Sequence, residues 1–206
     1  TDVKPDQIRY RGHAVEELMG NVGYGASVYL LLTGNMPSDS AGRLLEAVLV
    51  SSLDHGVTPP STLAARTAAS TGASLNAAVA AGILSINEYH GGAIERCAAQ
   101  LREVAQAESA HAGPPGPIEA ARMVVHRYRD AGNRLAGFGH RLHKRDPRAT
   151  RLLEIAEEEG VGTAWIARAR AIEQALAEAA GKPLPLNVDG AIAVVVLALG
   201  LPSEVA

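Results

Sequence analysis

Twelve residues, Gly137-Phe138-Gly139-His140-Arg141-Leu142-His143-Lys144-Arg145-Asp146-Pro147-Arg148, hold two glycines, two histidines and four cationic side chains. Glycine permits close backbone approach and torsions that other residues avoid. Pro147 stops a helix from running in from its N-terminal side. The stretch therefore reads as a loop, and loops held by a rigid scaffold often carry function. Its backbone N–H groups, imidazoles and guanidinium forks suit an anionic ligand bearing a carbonyl or phosphates. A solvated basic turn would account for the same composition. Two further stretches add chemistry: Glu88-Tyr89-His90-Gly91-Gly92-Ala93 and Leu186-Asn187-Val188-Asp189-Gly190. Each sets one titratable residue, His90 or Asp189, beside glycine or a short polar residue and next to an apolar run.

His90, at a helix start, would feel the positive end of the dipole. That favours a neutral imidazole able to donate one hydrogen bond to a carbonyl oxygen. A core or capping histidine fits the same place. Asp189 either N-caps the apolar run that follows or stands as a fixed carboxylate. His55 precedes Gly56, the position of a C-capping histidine. His140, His143 and Asp146 have i, i+3, i+6 spacing, which on a helix could hold a metal. Arg141, Lys144 and Arg145 would repel that cation, and the glycines and Pro147 disfavour the helix.

The elements that must position these residues are helical. Aromatics make up 3% of the 206 residues, so the core is built from Ala, Leu, Val and Ile. Ala is the best helix former and strands prefer aromatic and β-branched residues, so an all-α fold is expected. Thr1–Gln7 reads as a polar lead-in and Ile8–Gly12 as a short extended piece. His13–Gly34 reads as one helix or two, bent at Gly20, Gly23 or Gly25. Ser38 or Asp39 caps a helix that is amphipathic over Gly42–Leu53. Thr62–Ile86 is rich in small residues and reads as a buried helix pair broken near Thr71-Gly72. Helices follow over Ala93–Ala107, Ile118–Ala131, Ala149–Glu159, Thr163–Ala180 and Val188–Leu199, the last almost wholly apolar and hence buried. Ser109–Pro117 is a Pro/Gly-rich linker.

Net charge is -3, which gives no global field for nucleic acid. Charge is uneven, however: nine Lys or Arg lie between Arg122 and Arg151 against Asp130 and Asp146. A small polyanion is a plausible ligand, although Arg122, Arg127 and Arg129 read as a wet helix face. Cys97 is the single cysteine, which excludes an intrachain disulfide and suggests a reducing compartment. No signal-peptide pattern is present, and Ala191–Leu199 is too short to span a bilayer. The expected setting is cytoplasmic, without membrane or nucleic-acid partners. No initiator Met is present, so the sequence reads as a piece of a longer polypeptide.

In this order, the His90-Gly91-Gly92-Ala93 segment, the Gly137-Phe138-Gly139-His140 loop running to Asp146-Pro147-Arg148, and the Asn187-Val188-Asp189 segment resemble the citrate synthase superfamily. Ile8-Arg9-Tyr10-Arg11-Gly12 and Tyr29-Leu30-Leu31-Leu32-Thr33-Gly34 look like that family's N-terminal region, so the resemblance covers nearly the whole chain. It implies a single multi-helix domain over 1–206, with a large subdomain at about 1–108 and 186–206 and a small one at about 109–185. It implies C–C bond chemistry between a thioester α-carbon and an oxo acid. Asp189 matches the family's catalytic base; a carboxylate fixed beside a buried helix start and partly desolvated is a stronger base. His90 matches the histidine on the thioester carbonyl, and His140 the one that polarises the ketone. His55, in Asp54-His55, and Arg148 match residues that bind the oxo acid. Phe138 and Gly139 would lie along the coenzyme A arm, with Lys144 and Arg145 near its phosphates. No permanently bound cofactor or metal is implied; coenzyme A enters as part of the substrate. The family is dimeric, so at least a homodimer is expected, with Thr62–Ile86 as candidate interface.

Two departures refine this. Only sixteen residues separate Pro37 from Asp54, where full-length citrate synthases carry additional helices. The compact form is more similar to the citryl-CoA lyase branch, including the lyase module of ATP-citrate lyase. The family's further carboxylate-binding arginines, which follow the N-V-D helix, are not in this sequence. The expected activity is carbon–carbon cleavage of citryl-CoA to acetyl-CoA and oxaloacetate. The alternatives are condensation by a citrate or methylcitrate synthase, which is acyltransferase chemistry, and a non-catalytic coenzyme A-binding module.

Overall fold

The polar lead-in is not loose. In the computed structural model, which describes residues 1–54, 56–109, 116–139 and 144–205, it forms the first strand of a small meander. Strands Asp2–Lys4 (β1), Gln7–Tyr10 (β2) and His13–Ala14 (β3) pair antiparallel in that order. Val3 lies opposite Ile8, and Tyr10 opposite His13. The two turns force Asp6 and Arg11 into positive φ (56° and 51°). Arg11 is held there by its guanidinium, which donates to the Leu31 carbonyl oxygen at 2.9 and 3.2 Å.

The expected helix over His13–Gly34 is two helices, Val15–Leu18 (α1) and Tyr24–Thr33 (α2), separated at Gly20. Gly25 lies inside α2 rather than at a break. A Cβ there would stand 2.6 Å from the Glu46 nitrogen and 2.8 Å from the Gly42 oxygen. Glycine is the residue that lets α2 lie on Asp39–Ser51 (α3) at this distance. Ser38 caps α3, its Oγ accepting the Ala41 N–H at 3.2 Å.

Helices Pro60–Ser70 (α4), Leu75–Leu84 (α5), Ala93–Ser109 (α6), Pro117–Asp130 (α7), Pro147–Glu158 (α8), Thr163–Ala180 (α9) and Val188–Ala198 (α10) follow. A short 3-10 turn covers Ser203–Val205. The fold is all-α apart from the meander, with ten helices among the described residues. None of them is long and apolar enough to cross a membrane.

α10 is the rod of the core. Every residue from Gly190 to Leu197 is buried. It is packed by α6, α8 and α9, and α7 covers α6 and α9. Leu44 from α3, Leu101 and Val104 from α6, Val125 from α7, Leu152 from α8 and Ile172 from α9 share one cluster with Val194 and Val195. Each such side chain contributes about 1.5–3 kcal/mol when fully buried.

The pair over Thr62–Ile86 is helical and breaks where expected, but it is not buried. α4 and α5 pack chiefly on each other. Small residues meet between them: a Cβ at Gly82 would lie 3.0 Å from the Ser61 oxygen and 3.3 Å from the Ala65 Cβ. The larger apolar side chains point outward, Leu75 at 82% and Leu84 at 79% exposure. Small residues bring the two backbones together, and among the described residues no other element covers the outer face.

Candidate functional site

Asn187 organises the start of α10. Its side-chain oxygen accepts the Gly190 N–H at 3.2 Å, its amide nitrogen donates to the Gly139 oxygen at 2.9 Å, and its backbone N–H donates to the Gly137 oxygen at 3.0 Å. Asn187 is therefore the N-cap, and Asp189 lies in the first turn, half-buried, not at the cap. Phe138 pairs as a bridge with Leu186, and the Gly139 N–H donates to the Pro185 oxygen at 2.7 Å. The glycine strand is thus stitched along the segment that leads into α10.

The closeness of that seam explains its glycines. A Cβ at Gly190 would lie 2.5 Å from the Gly137 oxygen and 2.5 Å from Leu186 Cδ1. A Cβ at Gly137 would lie 2.6 Å from Cys97 Sγ, and Gly137 has φ 82°. Side chains fit at neither position. Cys97, fully buried on the first turns of α6, forms the other wall. Its thiol is pushed up to about 12, first by burial and then by the Asp189 charge. It is an inert, packed thiol.

Asp146 closes the seam from below. Its carboxylate is 1% exposed and fully engaged. Oδ1 accepts the Arg148 N–H at 3.0 Å and Nε at 3.1 Å; Oδ2 accepts Arg148 Nη2 at 2.9 Å and the Val188 N–H at 3.2 Å. Burial pushes this carboxyl up, but the Arg148 fork and the two N–H groups outweigh it and hold Asp146 below the ordinary carboxylate range. Asp146 also caps α8, whose first residue is Pro147. Its oxygens are spent on Arg148 and Val188, not offered to a metal.

His90 sits just before α6, tied back by a bridge to Asn87. Its Nε2 lies 2.9 Å from Ser61 Oγ and accepts the Ser61 N–H at 3.4 Å. A neutral imidazole that accepts at Nε2 has its donor at Nδ1. A Cβ at Gly137 would meet both Cys97 Sγ at 2.6 Å and Gly190 Cα at 2.9 Å, so the start of α10, which carries Asp189, lies at the same end of α6 as His90.

Of the residues singled out from sequence, Phe138, Gly139, Arg148 and Asp189 share the seam at the start of α10. Lys144 and Arg145 are exposed on the approach to α8. Arg145 rims a cleft of about 260 Å³ floored by Pro185 and Leu186. Glu154, Glu157 and Glu173 line it as well, so it is not a purely cationic cradle. His55 and His140 lie outside the described residues, as does His143. The basic helix face is ion-paired: Arg122 with Glu119 and Glu178, Arg127 with Glu103. A larger cavity of about 440 Å³ between α2 and α3, lined by Gly23, Gly42, Arg43 and Glu46 among others, holds none of the candidate residues.

Sequence reasoning missed the partners of three residues. Ser61 is 29 positions from His90, with no local signal beyond a turn at Pro59-Pro60. Asn187 was visible in its motif, but its bonds to the glycine strand were not. Asp146 was read with its motif and not as the acceptor for Val188.

The sequence profile described as citrate synthase, C-terminal domain, matches residues 37–206. A citrate synthase of Haloferax volcanii is 30% identical over 201 residues, 94% of this chain; the chain spans 49% of that relative's length. Among solved structures, citryl-CoA lyase from Hydrogenobacter thermophilus superposes with a TM-score of 0.87 at 34% identity, covering 100% of this chain and 77% of its own. Citrate synthase from Pyrobaculum aerophilum gives 0.65 at 30% identity, covering 96% and 46%.

Proposed function

The chain belongs to the citrate synthase family, and on that premise we propose that it cleaves citryl-CoA to acetyl-CoA and oxaloacetate. In this reading His140 takes the proton of the tertiary hydroxyl as that carbon becomes a ketone. The pair from the breaking C–C bond passes to the thioester side as an enol or enolate, whose oxygen takes a hydrogen bond from His90. Asp189, in its acid form, returns a proton to the α-carbon. Atoms and charge balance with no added co-reactant and no cofactor beyond the substrate's own coenzyme A. Arg148 and His55 hold the oxo acid, a fork being suited to a carboxylate. Phe138 and Gly139 lie along the coenzyme A arm, with Lys144 and Arg145 near its phosphates.

The observation that carries this reading is the seam itself. It gathers a carboxylate, a guanidinium fork and a glycine-lined strand at one buried helix start. Cleavage is favoured over condensation by the short Pro37-to-Asp54 connection and by the better superposition on a lyase than on a synthase. The identity to a citrate synthase over 94% of the chain favours a second reading, in which the same groups run in reverse and the thioester is then hydrolysed.

The reading includes at least a homodimer joined through α4 and α5. Arg66 is the only charged residue between Ser61 and Ile86, so two copies of this face meet with little charge to desolvate. It divides the chain into a large subdomain, 1–108 and 186–206, and a small one, 109–185. It places the protein in the cytoplasm.

The test is release of oxaloacetate from citryl-CoA, with Asp189→Asn alongside. Turnover is expected in the native chain and a loss of about 10³-fold in the variant, with thermal stability kept. Coenzyme A binding without turnover in either direction would instead favour a binding module.

A further inference from the structure

One buried charge lies outside the steps assigned above. Asp146 shows 1% of its surface, yet it receives four hydrogen bonds from two different helix starts. Three come from Arg148, on the first turn of α8. The fourth comes from Val188, the first residue of α10 and the neighbour of Asp189. A carboxylate has about four acceptor positions, and here all are used. We infer that Asp146 is the positioning residue of the site, whose single carboxylate fixes the direction of the Arg148 fork and the start of the helix that carries Asp189.

The geometry gives the two bonds separate consequences. The Nε–Nη2 edge of Arg148 lies on Asp146, which turns the Nη1–Nη2 edge toward whatever the guanidinium meets next. Side-on pairing therefore aims the end-on edge, the edge that holds a ligand carboxylate. The Val188 N–H bond pins the first turn of α10 at a point that Asn187 does not reach, since Asn187 secures Gly190 and the glycine strand. Removing Asp146 loosens the Asp189 backbone on one side while leaving the cap intact. Substrate hold and acid–base geometry are thereby tied to one group. This inference rests on the roles proposed above for Arg148 and Asp189.

Asp146→Asn cannot satisfy the arrangement. One of its two terminal atoms becomes a donor facing Arg148 Nη2 and Val188 N–H, or facing Arg148 N–H and Nε. With the folded state confirmed by circular dichroism, kcat for citryl-CoA cleavage is expected to fall roughly 10- to 100-fold, the size of effect set by small misplacements. KM is expected to rise about tenfold, as for a lost charged hydrogen bond. Asp146→Glu, the second variant, keeps the charge pair with Arg148 but displaces the carboxylate from Val188; it is expected to lower kcat with KM within about twofold. In an Arg148→Ala background, Asp146→Asn should lower kcat further without raising KM further.

Amide exchange supplies a readout that needs no substrate. Val188 should lose protection in Asp146→Asn while Val194 to Val196, inside the core, keep theirs. Unchanged protection at Val188 overturns the inference. So does a variant that melts at lower temperature but keeps kcat and KM within twofold, since that is the result of a merely structural ion pair. If the native chain neither cleaves citryl-CoA nor forms it, the functional reading fails, and the exchange measurement still decides whether Asp146 positions α10.

Discussion

Two regions built from the same small residues behave in opposite ways. At the start of α10, Gly137, Gly139 and Gly190 lie in a seam closed by Asn187 and Asp146, and the helix beyond is buried along its length. In the α4–α5 hairpin, Gly82 and the alanines also bring two backbones together, but Leu75, Ile83 and Leu84 face outward at 61–82% exposure. The difference lies in the polar anchors. The seam has side chains that stitch distant segments to one another; the hairpin has van der Waals contact with itself, bonds from Thr62 and Arg66 to the carbonyls of its own lead-in at Gly56 and Val57, and a tie from Ser61 to His90. Small residues make close approach possible, and polar partners decide where it is fixed.

The same substitution in each region tests this most sharply. Gly190→Ala puts a methyl 2.5 Å from the Gly137 oxygen, which is backbone and cannot turn aside. A loss of about 3 kcal/mol is expected, seen as a fall in Tm of roughly 10 °C. Gly82→Ala meets the Ser61 oxygen at 3.0 Å and the Ala65 methyl at 3.3 Å. There the helix-propensity gain of about 1 kcal/mol offsets mild crowding, and Tm should move by no more than about 3 °C. Equal falls in the two variants would erase the distinction.

Much of this was legible in the sequence, for physical reasons. The Thr163–Ala180 helix follows from periodicity, and α10 from a run of apolar residues too long for a polar environment. The site motifs stood out because glycine, histidine and aspartate are unusual beside such runs. What stayed hidden was pairing across distance: Ser61 on His90, Asp146 on Val188. Neither has a local signature, because each depends on where another helix begins. The exposure of α4–α5 was misread as burial because composition reports that a face is apolar, not whether the chain has anything left to cover it.

The hairpin's exposed face supplies the next test. Leu84→Lys adds a cation in the last turn of α5, where the helix dipole favours it, so the isolated chain should lose less than about 1 kcal/mol. In a homodimer joined through this face the same lysine would be buried without a partner. The expected result is a shift from dimer to monomer by light scattering at micromolar concentration, with lower turnover because Ser61 supports His90 from the same hairpin. An assembly unchanged by Leu84→Lys would remove the hairpin from the interface.

The smallest expected effect is in acid, and it probes the seam alone. Asp146 is held below the ordinary carboxylate range in the folded chain. A depressed folded-state value means that its contribution to stability is fully present above the unfolded carboxylate range, about pH 4. That contribution is lost as pH falls through the lower, folded-state value, when the proton displaces the Arg148 fork and the Val188 bond. Urea midpoints measured from pH 7 down to pH 3 should therefore decline more steeply in the native chain than in Asp146→Asn, which has no carboxylate to titrate. The hairpin between Ser61 and Ile86 has no carboxylate at all, so Gly82→Ala should leave that acid limb unchanged. If Asp146→Asn falls with the native slope, the acid sensitivity lies elsewhere, and the carboxylate that closes the seam is not what acid releases first.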